Sequence, residues 1–209
     1  LNTDNISLTA NITGASQTLT VNGTGGLEIA ANDVITNDGE ISITLTSGNL
    51  SGPGNITTGG SANANITLNV TNGSISVGGT ITGFHLNATA QNSSTLNTDI
   101  SNLSAYITGE GESVTVIEQQ DLAINGSTVV TSNGDISITD LNGSITGPGN
   151  VTAGTGNVTI TASNGSITLN TTAGQVSGSL LTVTAQNDSH LETNVGSLSA
   201  NITASGESL

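Results

Sequence analysis

Asp188, Ser189 and His190 bring the three residue types of a nucleophilic hydrolase together at one point of the chain. A serine nucleophile needs a histidine base within hydrogen-bond distance and a carboxylate that orients the histidine. Successive side chains of a β-strand point to opposite faces, so three neighbouring residues cannot adopt that arrangement. The equivalent stretch one repeat earlier, 93–95, reads Ser-Ser-Thr. We therefore predict no catalytic residues and a protein that is not an enzyme.

The remaining ionisable residues do not form a pattern typical of a metal or cofactor site. His85 and His190 are isolated, and no histidine and acidic residues have the spacing of zinc ligands. Several carboxylates recur with the repeat, which favours a structural or solvating role over one unique site. We predict no cofactor and no metal-binding residue, with Ca²⁺ bridging of exposed carboxylates kept as an alternative. The recurring pairs are Asp4/Asp99, Glu40/Asp135 and Glu112/Glu207.

Asparagine is the most informative polar residue, because 19 of the 26 asparagines begin an Asn-x-Ser/Thr sequon. Such sequons are acceptors for N-glycosylation on the surface of exported proteins. The alternation of apolar and polar residues along a half-buried strand by itself raises the number of sequons, since outward positions two residues apart are both polar. We hypothesise a densely N-glycosylated fibre. The candidate acceptors are Asn5, Asn11, Asn55, Asn65, Asn69, Asn72, Asn87, Asn142, Asn150, Asn157, Asn164 and Asn201.

The charge and composition exclude several classes of partner. The 209 residues include no Lys, no Arg and no Cys, and the formal net charge is −15. A chain without cations repels nucleic-acid phosphates and anionic membranes, and its apolar runs are too short to insert into a bilayer. Only 1% of the residues are aromatic, so a core of large side chains is not available.

The residues that must position any site lie on short strands, as the stretch 157–169 illustrates. Val158 and Ile160 alternate with hydroxyl residues before Asn164-Gly165, and Ile167 and Leu169 alternate with them afterwards. This period of two predicts a strand, a bend and a strand. We expect the bend to need positive backbone torsions, which Asn-Gly supplies at little steric cost.

The same pattern repeats every 95 residues. Leu1-Asn2-Thr3-Asp4 returns at 96–99, and Gly-Pro-Gly-Asn occurs at 52–55 and 147–150. We assign copy one to 1–95, copy two to 96–190 and the start of a third copy to 191–209, all in one continuous solenoid. We expect the chain to be a segment of a longer protein.

Two all-β architectures fit a period of 95. Tandem immunoglobulin-like sandwiches have that length, but they usually bury several aromatic residues. A parallel β-helix needs only modest inward side chains, because the coils above and below supply the packing. We predict a right-handed parallel β-helix (β-solenoid) of about four to five coils per repeat, with the handedness following from the crossover rule.

Inward-facing apolar residues form the predicted core, and burying each one contributes roughly 1.5 to 3 kcal/mol. They are Ile41, Ile43, Ile75, Val77 and Leu86 in copy one, and Ile136, Ile138, Val158, Ile160, Ile167, Leu169 and Val183 in copy two.

The segments 159–169, 181–187 and 197–203 resemble the β-strand repeats of filamentous haemagglutinin-like giant adhesins. The resemblance implies a long shaft exported to the cell surface, where it acts as a structural stalk or extracellular filament in adhesion or cell-cell contact. The implied partners are further copies of the repeat, identical chains in a filament and an unidentified receptor. The alternative function is a carbohydrate-binding or immunoglobulin-like ligand-binding module of a surface protein.

Overall fold

The computed structural model describes residues 6–59, 61, 64–126, 128–169 and 175–209, which contain strands and turns but no helix. Ile, Val and Thr dominate the strands, as expected for residues that suit a pleated, half-buried surface. The strands are β1 (Ile6–Ala15), β2 (Leu19–Gly23), β3 (Leu27–Asn37), β4 (Ile41–Leu45), β5 (Leu50–Gly52), β6 (Ile56–Thr57), β7 (Asn65–Val70), β8 (Ile75–Val77), β9 (Ile81–Ala90), β10 (Ser94–Glu110), β11 (Val114–Glu118), β12 (Leu122–Ala123), β13 (Thr128–Ser132), β14 (Ile136–Asp140), β15 (Ile145–Thr146), β16 (Asn150–Thr152), β17 (Val158–Ala162), β18 (Ile167–Leu169), β19 (Val176–Ala185), β20 (His190–Leu191) and β21 (Thr193–Ile202).

All strand pairings in the described ranges are parallel, and the strands stack on three faces of a coil. Face 1 runs through β2, β4, β7 and the end of β9. Face 2 runs through the start of β3, then β5 and β8, and face 3 through the end of β3, then β6 and the start of β9. Beyond β9, face 1 continues through the end of β10, β13, β16 and the starts of β19 and β21. Face 2 continues through the start of β10, β11, β14, β17 and the ends of β19 and β21. Face 3 continues through the middle of β10, β12, β15, β18 and β20. Partners on successive coils are 17 to 25 residues apart. The predicted parallel β-solenoid is confirmed. The alternative of immunoglobulin-like sandwiches is wrong, because those sheets are antiparallel.

The core is a column of aliphatic side chains inside the coils. All twelve predicted inward residues are at most 2% exposed, which confirms the assignment from alternation. Ile160, for example, lies in register between Ile138 and Val183, and all three are buried. Neither aromatic residue contributes to this column, since Phe84 is half-buried and Tyr106 is exposed.

The prediction for the Asn164-Gly165 bend was wrong in its mechanism. Neither residue has a positive φ, although other turns in the described chain do, including the equivalent Gly52 and Gly147. A Cβ added to Gly165 would lie 2.2 Å from the carbonyl oxygen of Gly143 on the preceding coil. Glycine is needed at this corner because the backbones of successive coils approach closely.

Two strands are longer than the alternation pattern predicts. The pattern places separate strands near 27–30 and 33–36, whereas β3 continues through both. β10 extends over 17 residues and crosses all three faces without a turn. The coil bends gradually there, and successive partners in β9 and β10 are only 17 residues apart.

The repeat does not contain a whole number of coils. β11 is the equivalent of β2, 95 residues later. From β2 to β10 the chain forms thirteen strand segments, if β3 and β9 are each counted as two segments and β10 as three, one for each face that they cross. Thirteen segments on three faces make four and a third coils. Ile41 therefore lies on face 1 and its equivalent Ile136 on face 2, although their register with the next coil is the same in both copies. Equivalent residues move by one face in each repeat.

Candidate functional site

The residues of the Asp188-Ser189-His190 sequence have separate structural partners. The Ser189 hydroxyl donates to the carbonyl of Asn187 at 3.0 Å and accepts from the amide of Ile167 at 2.9 Å. Asp188 accepts from the backbone and side chain of Ser208, and these bonds lower the pKa of its carboxyl group. His190 is exposed. Within the described residues no hydrogen bond links these three side chains.

The two histidines lie in different surroundings. Half-buried His85 contacts the Ser104 hydroxyl through Nε2 at 3.2 Å, and burial lowers the pKa of its imidazole. In the described ranges no group of three or more histidine and acidic residues is arranged to hold a metal ion. A polar notch of about 380 Å³ in face 3 brings Asp99 and Asp121 near Gln120, whose amide donates to Asp99 at 3.2 Å. Two carboxylates alone do not form a calcium cage, which takes six to eight oxygen ligands.

Four of the six carboxylates that recur with the repeat, Asp99, Glu112, Asp135 and Glu207, accept hydrogen bonds from a neighbouring coil. Asp4 lies outside the described residues. Glu112 accepts from the hydroxyl and the amide of Ser93 at 2.5 and 2.7 Å, and these bonds lower the pKa of its carboxyl group. The equivalent Glu207 accepts from the amide of Asp188 at 3.1 Å. Asp135 accepts from the amide of Asn157 at 2.7 Å. These side chains fasten corners of adjacent coils to one another.

Two buried carboxylates, Glu118 and Asp140, were missed by the sequence analysis. They are register partners on face 2 and have no exposed surface. Glu118 accepts backbone amides, including that of Gln119 at 2.9 Å, but burial is the larger effect and raises its pKa to about 7. Burial also raises the pKa of Asp140, with a smaller contribution from Asp121. One oxygen of Asp140, Oδ2, has no hydrogen-bond partner in the described chain.

The candidate glycosylation sites occupy three kinds of environment, and Asn5 lies outside the described residues. Asn72, Asn142 and Asn164 are exposed corner residues whose side-chain amides donate to a carbonyl on the preceding coil. The half-buried sites are Asn55, Asn65, Asn69 and Asn150. The exposed sites without a side-chain hydrogen bond among the described residues are Asn11, Asn87, Asn157 and Asn201.

Face 2 of copy two carries an ordered array of outward hydroxyl groups. Thr159 and Thr161 lie in register with Thr182 and Thr184 of the next coil. Ser137 and Thr139 precede them in the same two rows. Within the described structure these six side chains have no hydrogen-bond partner and no charged residue among them.

Comparison with known protein families, characterised proteins and solved structures gives no match for this chain. In the described ranges no helix is long and apolar enough to cross a membrane. The strand pairing itself defines the class, which is a parallel β-solenoid with a 95-residue internal repeat.

Proposed function

We propose that this chain is a structural module of a long exported surface protein, in which stacked repeats form a rigid shaft for adhesion or cell-cell contact. The observation that carries the proposal is the uninterrupted stacking across the junction of the two copies. β10 pairs with β9 of copy one on one side and with β11 and β13 of copy two on the other. A hinge between the copies would have to break these ladders.

The core supports the same proposal. Leu86, Leu103 and Val129 belong to consecutive coils across the junction, and all three are fully buried. Bending at this point would expose them, at a cost of roughly 1.5 to 3 kcal/mol for each side chain. A shaft of this kind resists bending because each coil is packed on the next.

The surface favours a structural role over catalysis. Its carboxylates and corner asparagines bond to neighbouring coils, and the residues of the Asp188-Ser189-His190 sequence have separate partners. Because equivalent residues advance by one face per repeat, a long array of copies presents each repeat feature around the whole shaft. The partners that suit such a shaft are further copies of the repeat and a receptor contacted elsewhere on the protein.

The location can be tested on intact source cells with an antibody raised against this segment. Gold labelling of non-permeabilised cells should mark thin fibres that extend from the envelope. Labelling that requires permeabilisation would contradict the exported shaft. An antibody against a cytoplasmic enzyme supplies the control for cell integrity.

A second candidate function is binding to a crystalline surface such as ice, which the hydroxyl array on face 2 favours. Adjacent strands place the rows about 4.8 Å apart, and residues two apart along a strand are separated by about 6.6 Å. A tetrahedral water lattice with O···O distances of about 2.8 Å has repeats of about 4.5 and 7.4 Å. The spacing between rows is therefore close to the shorter repeat, and the spacing along a strand is about 0.8 Å below the longer one. The rows of this array are 22 and 23 residues apart in the sequence.

Thermal hysteresis of the purified chain tests the second candidate. Thr161→Tyr, at the centre of the array, should abolish any effect on ice growth, whereas Thr168→Tyr on face 3 should not. If the unsubstituted chain has no effect on ice growth or recrystallisation, the candidate is rejected and the shaft proposal is unaffected.

A further inference from the structure

We infer that N-linked sugars attach to five asparagines on the faces of the solenoid and not to the asparagines at its corners. The inference rests on the proposed export of the protein, because N-glycosylation acts on exported chains. The five acceptors are Asn11, Asn22, Asn87, Asn157 and Asn201. Three features of the structure separate these sequons from the others: exposure of the asparagine, the hydrogen bonds of its carboxamide and burial of the sequon hydroxyl. Asn65 and Asn69, whose carboxamides have no hydrogen-bond partner among the described residues, are half-buried.

The corner sequons are committed to the fold. Nδ2 of Asn72, Asn142 and Asn164 donates to the carbonyls of Thr46, Gln119 and Leu141 at 2.8, 3.0 and 2.8 Å. The glycine that follows each of them leaves no space, since a Cβ on Gly73, Gly143 or Gly165 would lie within 2.4 Å of the preceding coil. Nδ2 is the atom that a sugar would occupy, so glycosylation competes with these contacts between coils.

Other sequons are blocked for related reasons. Asn55 is half-buried, and its carboxamide donates to Asp33 at 3.0 Å and accepts from the amide of Thr80 at 2.7 Å. Asn150 is also half-buried and accepts from the amide of Gln175. Asn92 is exposed, but the sequon hydroxyl of Ser94 is buried and bonded to the backbone. The same arrangement recurs one repeat later around Ser189.

The five proposed acceptors share a different environment. Each is exposed, and within the described structure its carboxamide has no hydrogen-bond partner. Each sequon ends in threonine, and none of the five threonines is buried. Four of the threonine hydroxyls have no hydrogen-bond partner in the described structure, and the exposed Thr203 hydroxyl donates to the carbonyl of Ala185 at 3.3 Å. The sequon threonines are Thr13, Thr24, Thr89, Thr159 and Thr203.

The acceptors are spread around the shaft. Asn22 and Asn87 lie on face 1, Asn201 lies on face 2, and Asn11 lies on face 3. Asn157 immediately precedes β17 on face 2. Asn22 and Asn87 are three coils apart, or about 14 Å, which leaves space for a sugar on each.

The reaction requires a sugar donor activated by an anomeric phosphate. Nδ2 of asparagine forms the new bond to the anomeric carbon, the bond from that carbon to the phosphate breaks, and one Nδ2 proton is lost to a base. No oxidation or reduction takes place. In the five acceptors this reaction breaks no hydrogen bond of the described structure, because their carboxamides have no hydrogen-bond partner there.

The first test is modification of the purified, folded chain by a soluble N-glycosyltransferase with a nucleotide-sugar donor. Because the chain has no Lys or Arg, the sites are mapped after cleavage at Asp and Glu. Sugar should appear at the five acceptors in folded protein, and also at Asn72, Asn142 and Asn164 after unfolding in urea. Equal modification of Asn87 and Asn164 in the folded chain would overturn the inference.

A matched pair of variants separates accessibility from stability. Asn87→Gln should remove one sugar per chain and leave the melting temperature unchanged. Asn164→Gln should leave the sugar count of the folded chain unchanged and lower the melting temperature, since the corner contact is lost. The opposite result for either variant counts against the assignment.

Native material distinguishes the failure of this inference from the failure of the proposed function. Surface labelling together with sugar on the five acceptors supports both. Surface labelling of a chain whose mass shows no sugar overturns the glycosylation map and leaves the shaft. Sugar on Asn157 or Asn201 would also overhang the hydroxyl array of face 2 and would reject the ice-binding candidate.

Discussion

Stability should decrease as the pH rises from about 4.5 to about 7, because Glu118 is buried in the core. This carboxyl group has no exposed surface, and burial raises its pKa from the ordinary 4.5 to about 7. In that interval the unfolded chain loses the Glu118 proton while the folded chain keeps it. The folded state therefore binds more protons, and its stability falls with increasing pH.

The size of the effect follows from the shift. One pKa unit corresponds to about 1.4 kcal/mol, so ionisation of Glu118 should lower the free energy of unfolding by about 3 kcal/mol. This decrease is complete above about pH 7. For a chain of this length the melting temperature would fall by roughly 6 to 12 °C. The raised pKa of Asp140 acts in the same direction. The lowered pKa of His85 acts in the opposite direction, because its neutral form is favoured in the folded state.

Glu118→Gln isolates the contribution of this one residue. The variant retains an oxygen that accepts the amides of Ile100 and Gln119 but cannot ionise. Circular dichroism melting of both proteins from pH 4.5 to 8 should give curves that diverge by about 3 kcal/mol in favour of the variant at high pH. Parallel pH profiles for the two proteins would refute the reasoning, since His85 and Asp140 are common to both.

Three further perturbations test the packing. Ile160→Asp should lower the free energy of unfolding by more than about 4 kcal/mol, because it places a carboxylate in a fully buried position. Thr161→Asp, on the outward side of the same strand, should change the melting temperature little. Equal effects of the two substitutions would contradict the inward assignment of Ile160. Gly134→Ala should destabilise the chain by more than about 2 kcal/mol, because its Cβ would lie 1.8 Å from the carbonyl oxygen of Glu112. Gly78→Ala is the control, since the nearest atom to its Cβ would be 3.3 Å away. Similar melting temperatures for the two variants would be inconsistent with close packing at the Gly134 corner. Native protein should survive proteinase K for hours while Ile160→Asp is cleaved, and rapid loss of both would argue against a packed stack.

The inward face of the strands could be predicted from the sequence because every strand must bury one side. Ile41, Ile43 and Ile160 alternate with hydroxyl residues, and a period of two allows only one assignment once a core exists. The same rule could have located Glu118 and Asp140, since they occupy the inward phase of 114–118 and 136–140. They were missed because carboxylates are rarely fully buried.

Other features depend on contacts between coils that no local pattern contains. The close approach at Gly165 depends on the backbone of Gly143, which lies one coil away. The difference between corner and face asparagines depends on the carbonyl that lies beside each amide, as for Asn164 and Leu141. The advance of one face per repeat depends on the number of strand segments, and β10 hides three of them in a single continuous strand.

The central claim is that successive repeats continue one stack along a single axis. Small-angle X-ray scattering of chains with two, three and four copies measures it most directly. Four and a third coils at about 4.8 Å each should lengthen the particle by about 21 Å per copy, with a constant cross-section. A compact 95-residue domain is about 32 Å across, so increments of that size or larger, with the scattering of a flexible chain of beads, would contradict the account.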